Sequence, residues 1–143
     1  MTRAGATQAG PKVLFVCIQN AGRSQIAETL FRALSGGRGE ARSAGTDPAA
    51  SVHPHVAAAL AERGFDVSTK VPKALELSDA EWADVVVTMG CGDRCPVTGK
   101  PTEDWVLADP KDMTSSDLAQ LIDEIGLRVT DLLDRMGHTT TAR

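Results

Sequence analysis

The sequence predicts an α/β fold: a three-layer sandwich in which a four-stranded parallel sheet lies between helices on both faces. Two observations carry this. Short continuous apolar runs, "VLFV" at 13–16 and "VVV" at 85–87, have the length and β-branched content of strands buried on both faces. Stretches with apolar residues at three-to-four spacing alternate with them and read as helices.

In chain order, residues 13–17 form the first strand, an apolar run ended by a turn. A helix follows over 22–35, with Ile26, Leu30, Phe31 and Leu34 on one face and "SGGRG" as its stop. "ARSAGT" at 41–46 suits a short strand. Pro54 fits the first turn of a helix that runs to about Arg63, and Gly64 ends it. "ADVVVTM" at 83–89 is the central strand and "DWVLAD" at 104–109 a shorter one. One long helix spans 115–136, where Leu118, Leu121, Ile122, Ile125, Val129, Leu132, Leu133 and Met136 repeat at helical spacing. Residues 1–11 and 138–143 read as loose tails around a single domain, 12–137. Crossovers should be right-handed, and ligands should bind beyond the carboxyl ends of the strands.

Composition narrows the function. At 143 residues and 42% hydrophobic, the chain can bury one ordinary core. A net charge of −4 argues against a broad nucleic-acid footprint. No apolar run approaches the roughly 20 residues of a membrane span, and "MTRAGATQAGPK" lacks the apolar core of a signal peptide. Three cysteines, at 17, 91 and 95, cannot all pair within the chain; a cytoplasmic monomer is the expectation. Ten Arg against five Lys, 20 Ala, no Tyr and a single Asn suggest a GC-rich genome of actinobacterial type.

The chemistry starts at Cys17, where the first strand ends. Ile18, Gln19, Asn20, Ala21 and Gly22 separate it from Arg23 and Ser24 at the start of a helix. Such a loop turns backbone N–H groups inward, and the helix dipole adds positive potential. Gly22 allows close backbone approach, and Arg23 offers a planar fork to two oxygens. The same field favours the thiolate of Cys17, the nucleophilic form, and Ser24 can donate a hydrogen bond to it. One tetrahedral oxyanion fits the loop. Asn20, the single Asn, suits a left-handed turn. An inert buried cysteine beside a surface arginine is the plainer alternative.

"GCGDRCP" places Cys91 and Cys95 at i, i+4, on one face of a helical turn. No second ligand pair supports zinc. A dithiol relay, eased by Gly90 and Gly92, and two inert cysteines both remain open. Asp109, before Pro110, could donate a proton to a leaving oxygen. His53 reads as a cap or surface residue, His55 and His138 as surface, Glu103 and Asp104 as solvated. Trp82 is expected under the third strand and Trp105 near the pocket.

The spacing C-x5-R-S resembles the phosphate loop of the low-molecular-weight protein tyrosine phosphatase family. With "GCGDRCP" and "DWVLADP", residues 12 to 136 resemble the arsenate reductases built on that fold. The resemblance implies Cys17 as nucleophile, Asp109 as acid, Cys91 as second thiol and Cys95 as resolving thiol, with Arg23, Ser24 and the loop amides holding arsenate. Phosphate or sulfate would compete. It implies no bound cofactor but an external reductant, thioredoxin or mycothiol with mycoredoxin. Some members bind potassium through an Asn, a Glu, a Ser and an Asp. Asn20, Glu28 and Ser43 match the first three, but "KVPKALEL" puts Lys70 and Lys73 where the Asp is expected, so no metal is expected. The rivals are a tyrosine phosphatase, which would need neither Cys91 nor Cys95, and an oxyanion-binding module without turnover.

Overall fold

The computed structural model describes residues 10–90 and 98–137. The elements run β1 (Lys12–Cys17), α1 (Arg23–Leu34), β2 (Glu40–Gly45), α2 (Pro54–Glu62), α3 (Leu77–Trp82), β3 (Val85–Thr88), β4 (Thr102–Asp104), a 3-10 turn (Pro110–Asp112) and α4 (Ser115–Arg135). The sheet is parallel throughout, in the order β2-β1-β3-β4. Cys17 pairs with Gly45 and Val16 with Thr88, so the carboxyl ends of β1, β2 and β3 finish together.

Period-two alternation in β1 decides the layers. Val13, Phe15 and Cys17 face the larger core, made with Ile26, Leu30 and Phe31 of α1, Val56 and Leu60 of α2, and the apolar stripe of α4. Leu14 and Val16 face the smaller one, with Ala80 of α3, Ala83 and Val86. Each fully buried large aliphatic or Phe side chain contributes about 1.5–3 kcal/mol. Helix ends are closed locally. Gly36 and Gly37 take φ of 67° and 80° and return their amides to the Ala33 and Arg32 carbonyls. The Thr114 hydroxyl accepts the Asp117 amide at 3.1 Å to start α4.

Three expectations need correction. The fourth strand is Thr102–Asp104 rather than 104–109. The Trp105 amide still reaches the Thr88 carbonyl at 2.8 Å, after which the chain leaves the sheet. Asp109 therefore sits in a loop, not at a strand end. Helix α3 was not anticipated, although a capping box between Glu76 and Asp79 starts it. Finally, Glu103 is not solvated. It is half-buried, paired with Arg135, and accepts the Trp105 indole N–H at 3.0 Å. The Arg135 hydrogen bond holds its carboxyl below the usual range, with the indole bond adding to it against burial. Trp105 is a core residue, 5.8 Å from the Phe15 ring centroid. Trp82 packs against the smaller core as expected, with the Arg42 guanidinium 4.3 Å above its ring. His138 lies outside the described residues.

Candidate active site

The loop from Cys17 to Gly22 is tied down from behind. The Cys17, Ile18, Gln19 and Ala21 carbonyls accept the amides of Thr46, Asp47, Ala49 and His53 at 2.8–3.1 Å. The Asn20 carbonyl accepts Gln25 Nε2 at 3.1 Å, and the Gly22 carbonyl accepts the Ile26 amide at 2.9 Å. With every carbonyl of the loop drawn outward, the backbone curves around Cys17. The Asn20 amide points to Cys17 Sγ at 3.2 Å. Helix α1 begins at Gly22 with no side-chain cap and no acidic residue in its first turn. Its first amides and its dipole are thus left for an anion.

Asn20 adopts φ 53°, the left-handed conformation expected of it. Its Nδ2 donates to Ser24 Oγ at 2.7 Å, and its Oδ1 accepts the Lys73 amide at 3.0 Å and Gln25 Nε2 at 3.2 Å. Ser24 Oγ lies 2.9 Å from Cys17 Sγ. Asn20 donates to Ser24 Oγ, which leaves the hydroxyl proton free to be given to the sulfur, the arrangement a thiolate would need. Cys17 is 2% exposed, and both Asn20 and Ser24 are fully buried.

Arg23 is 8% exposed. Its Nη1 donates to the Leu107 carbonyl at 3.3 Å, and its Nη2 stands 4.0 Å from Asp109 Oδ2. Asp109 is half exposed and accepts the Lys111 amide at 3.0 Å. Gly90 closes another side. It has φ 82°, and a Cβ there would lie 2.5 Å from Arg23 Nη1. Cys91 and Cys95 lie outside the described residues, immediately beyond Gly90.

Behind the loop is a polar cavity of about 360 Å³. Glu28, 3% exposed, accepts Ser43 Oγ on Oε1 at 2.5 Å and Lys70 Nζ on Oε2 at 2.6 Å, with Arg32 Nη2 at 2.8 Å. Asp79 binds Lys73 Nζ and, at 3.3 Å, Arg42 Nη1. Burial pushes the Asp79 carboxyl up, but the hydrogen bonds from Lys73 and the Glu76 amide and the Lys73 charge outweigh it, leaving the group below its usual value. Asn20, Glu28 and Ser43 do come together here. They do not fit a potassium ion: the Asn20 and Glu28 oxygens already accept hydrogen bonds, and the Lys70 ammonium occupies Glu28. Gln25 Oε1 is buried without a partner among the described residues, and a single oxygen makes no cation shell.

Four contributors were not foreseen from the sequence: Gln25, the Lys73 amide, the Leu107 carbonyl and His55. Gln25 carried a signal, a polar residue on the buried face of a helix. The backbone contributors carried none. His55, expected at the surface, is half-buried and its Nε2 lies 2.7 Å from the Pro110 carbonyl.

The strand–loop–helix cradle with a buried thiol defines a cysteine enzyme, or binder, of tetrahedral oxyanions. The chain belongs to the low molecular weight phosphotyrosine protein phosphatase family, whose model matches residues 12–142. Within that family the similarities lean one way. A glutaredoxin arsenate reductase of Synechocystis sp. is 33% identical over 87% of this chain and 98% of its own length. The structure of a thioredoxin-dependent arsenate reductase of Corynebacterium glutamicum superposes with a TM-score of 0.77 at 41% identity, over 90% of this chain. This chain spans only 62% of the Corynebacterium protein. An arsenate reductase in a phosphate-binding state superposes with a TM-score of 0.80 at 31% identity, over 88% of this chain and 98% of the other. Among the described residues no helix is long and apolar enough to cross a membrane.

Proposed function

We propose that the chain is an arsenate reductase that takes its electrons from an external dithiol protein of the thioredoxin or glutaredoxin class. The observation that carries this is the Cys17 sulfur held between the Asn20 amide and Ser24 Oγ at the uncapped start of α1. It is supported by the relatives' names and by two further cysteines in the chain.

The reaction follows from the thiols. Cys17 Sγ attacks arsenic while Arg23 and the loop amides hold the other oxygens. A proton from Asp109 carries one oxygen off as water. The Cys91 thiolate then attacks Cys17 Sγ. The sulfur–arsenic bond breaks, its electron pair stays on arsenic, and arsenite leaves. Two thiols have become one disulfide and arsenic has gained two electrons. Cys95 attacks Cys91, frees Cys17 and leaves a Cys91–Cys95 disulfide for the external reductant. A relay that ends on an external dithiol suits a reducing compartment such as the cytoplasm.

The test is arsenate-dependent NADPH oxidation by the pre-reduced chain with thioredoxin and its reductase, beside mycothiol with mycoredoxin, and an aryl phosphate as control. Arsenite formation with either donor supports the reading. Aryl phosphate turnover with no arsenite would replace it with a phosphatase.

A further inference from the structure

The loop that carries Asp109 is pinned at three points. Leu107 gives its carbonyl to Arg23. The Pro110 ring sits directly on the oxyanion loop, where a Cβ on Gly22 would come within 2.5 Å of Pro110 Cγ. The Pro110 carbonyl is met by His55 Nε2 at 2.7 Å from the first turn of α2. A carbonyl oxygen only accepts, so Nε2 carries the hydrogen, in either charge state of the ring. The His53 ring lies beside it, 5.8 Å between centroids, and approaches Gly22 from the same side.

We infer that His55 is the positioning residue of the acid loop, its Nε2–H holding the Pro110 carbonyl and so fixing Asp109 beside Arg23. Proline has a fixed φ, so clamping its ring and its carbonyl sets the direction of the residue before it. The Asp109 carboxylate is bound on to the Lys111 amide, which fixes it relative to the same turn. Asp109 is otherwise half exposed, and the Arg23 guanidinium at 4.0 Å is too weak a contact to orient it. The inference rests on Asp109 being the acid of the proposed reaction.

The experiment measures single-turnover arsenite release from pre-reduced protein, and phosphate affinity from protection of Cys17 against alkylation. His55→Ala is expected to slow release about three- to tenfold while phosphate affinity stays within twofold. His55→Gln, whose Nε2 can reach the same carbonyl, should recover most of the rate, and His55→Asn should not. In an Asp109→Asn background, His55→Ala should change the rate less than twofold. A full additive loss in that background, or phosphate affinity falling in step with rate, would make His55 merely structural and overturn the inference. So would His55→Asn matching His55→Gln, a comparison that decides even if His55→Ala does not fold. Slow Asp109→Asn beside an unaffected His55→Ala overturns the positioning role alone. Asp109→Asn at full rate overturns the acid reading, and the positioning role with it.

Discussion

Replacing Gly90 by alanine tests how tightly the arginine is held. The substitution meets two obstacles. The backbone stands at φ 82°, and a side chain in left-handed backbone is destabilising by roughly 1–2 kcal/mol. The new methyl would also lie 2.5 Å from Arg23 Nη1 and 3.5 Å from Cζ. The guanidinium, 8% exposed and anchored on Leu107, must then swing out of line. Losing one charge-assisted hydrogen bond to the oxyanion amounts to about 1.5–3 kcal/mol. That corresponds to roughly 10- to 150-fold weaker phosphate binding. Gly99 supplies the control. It has φ 77°, and a Cβ added there would meet nothing within 4 Å, so Gly99→Ala carries the backbone strain without the collision. Urea denaturation should show both variants destabilised by similar amounts. Phosphate protection of Cys17 against iodoacetamide, followed by peptide mapping, should weaken only in Gly90→Ala. Equal phosphate affinity in the two variants would refute the argument that Gly90 exists to leave room for Arg23.

Arg23→Lys keeps the charge but not the planar fork, and should reduce arsenate turnover by about 100-fold or more, measured by steady-state kinetics. Cys95→Ser in a pre-reduced sample should release about one arsenite per chain and stall as a Cys17–Cys91 disulfide, detectable by mapping; normal cycling with thioredoxin would contradict the three-thiol relay. Asp79→Asn removes a buried carboxylate that holds Lys73 and Arg42, and should lower stability by about 1–3 kcal/mol at pH 7 in urea titrations. The folded carboxyl titrates below its reference value of 3.8, so its contribution is present above that pH and is lost as pH falls through the lower folded value. The wild-type and Asp79→Asn curves should therefore converge in acid.

Where sequence reading succeeded, the cause was a strong local signal. The run at 13–17 and the Gly22 to Arg23 junction place a thiol, a turn and a helix start within seven residues, and the structure has that strand, turn and helix in place. Asn20 announced its own left-handed backbone. The reading failed where tertiary contacts decide. "DWVLAD" looks like strand, yet pairing ends once Leu107 is drawn to Arg23 and Pro110 to Gly22. Helix α3 spans six residues, too short for helical periodicity to show. His55 had no motif around it, and its partner is a backbone carbonyl 55 residues away. Glu103 and Asp104 have the same chemistry in sequence; Arg135 from α4 and the Trp105 indole engage Glu103, while Asp104 stays exposed and its carboxylate meets only the Thr88 hydroxyl among the described residues.

Because the carbonyls from Cys17 to Gly22 are all engaged on the outer side, the loop needs no guest to keep its shape. A receptor built in advance loses little entropy on capture. As the proposed oxyanion site it would read geometry and charge, which phosphate and arsenate share. In the proposed reaction discrimination passes from recognition to reactivity: sulfur can attack either centre, but only arsenic can keep the electron pair of the sulfur bond when a second thiol takes that sulfur. A phosphate held in the proposed site would block it until it left. The proposed turnover would then depend on the ratio of the two anions.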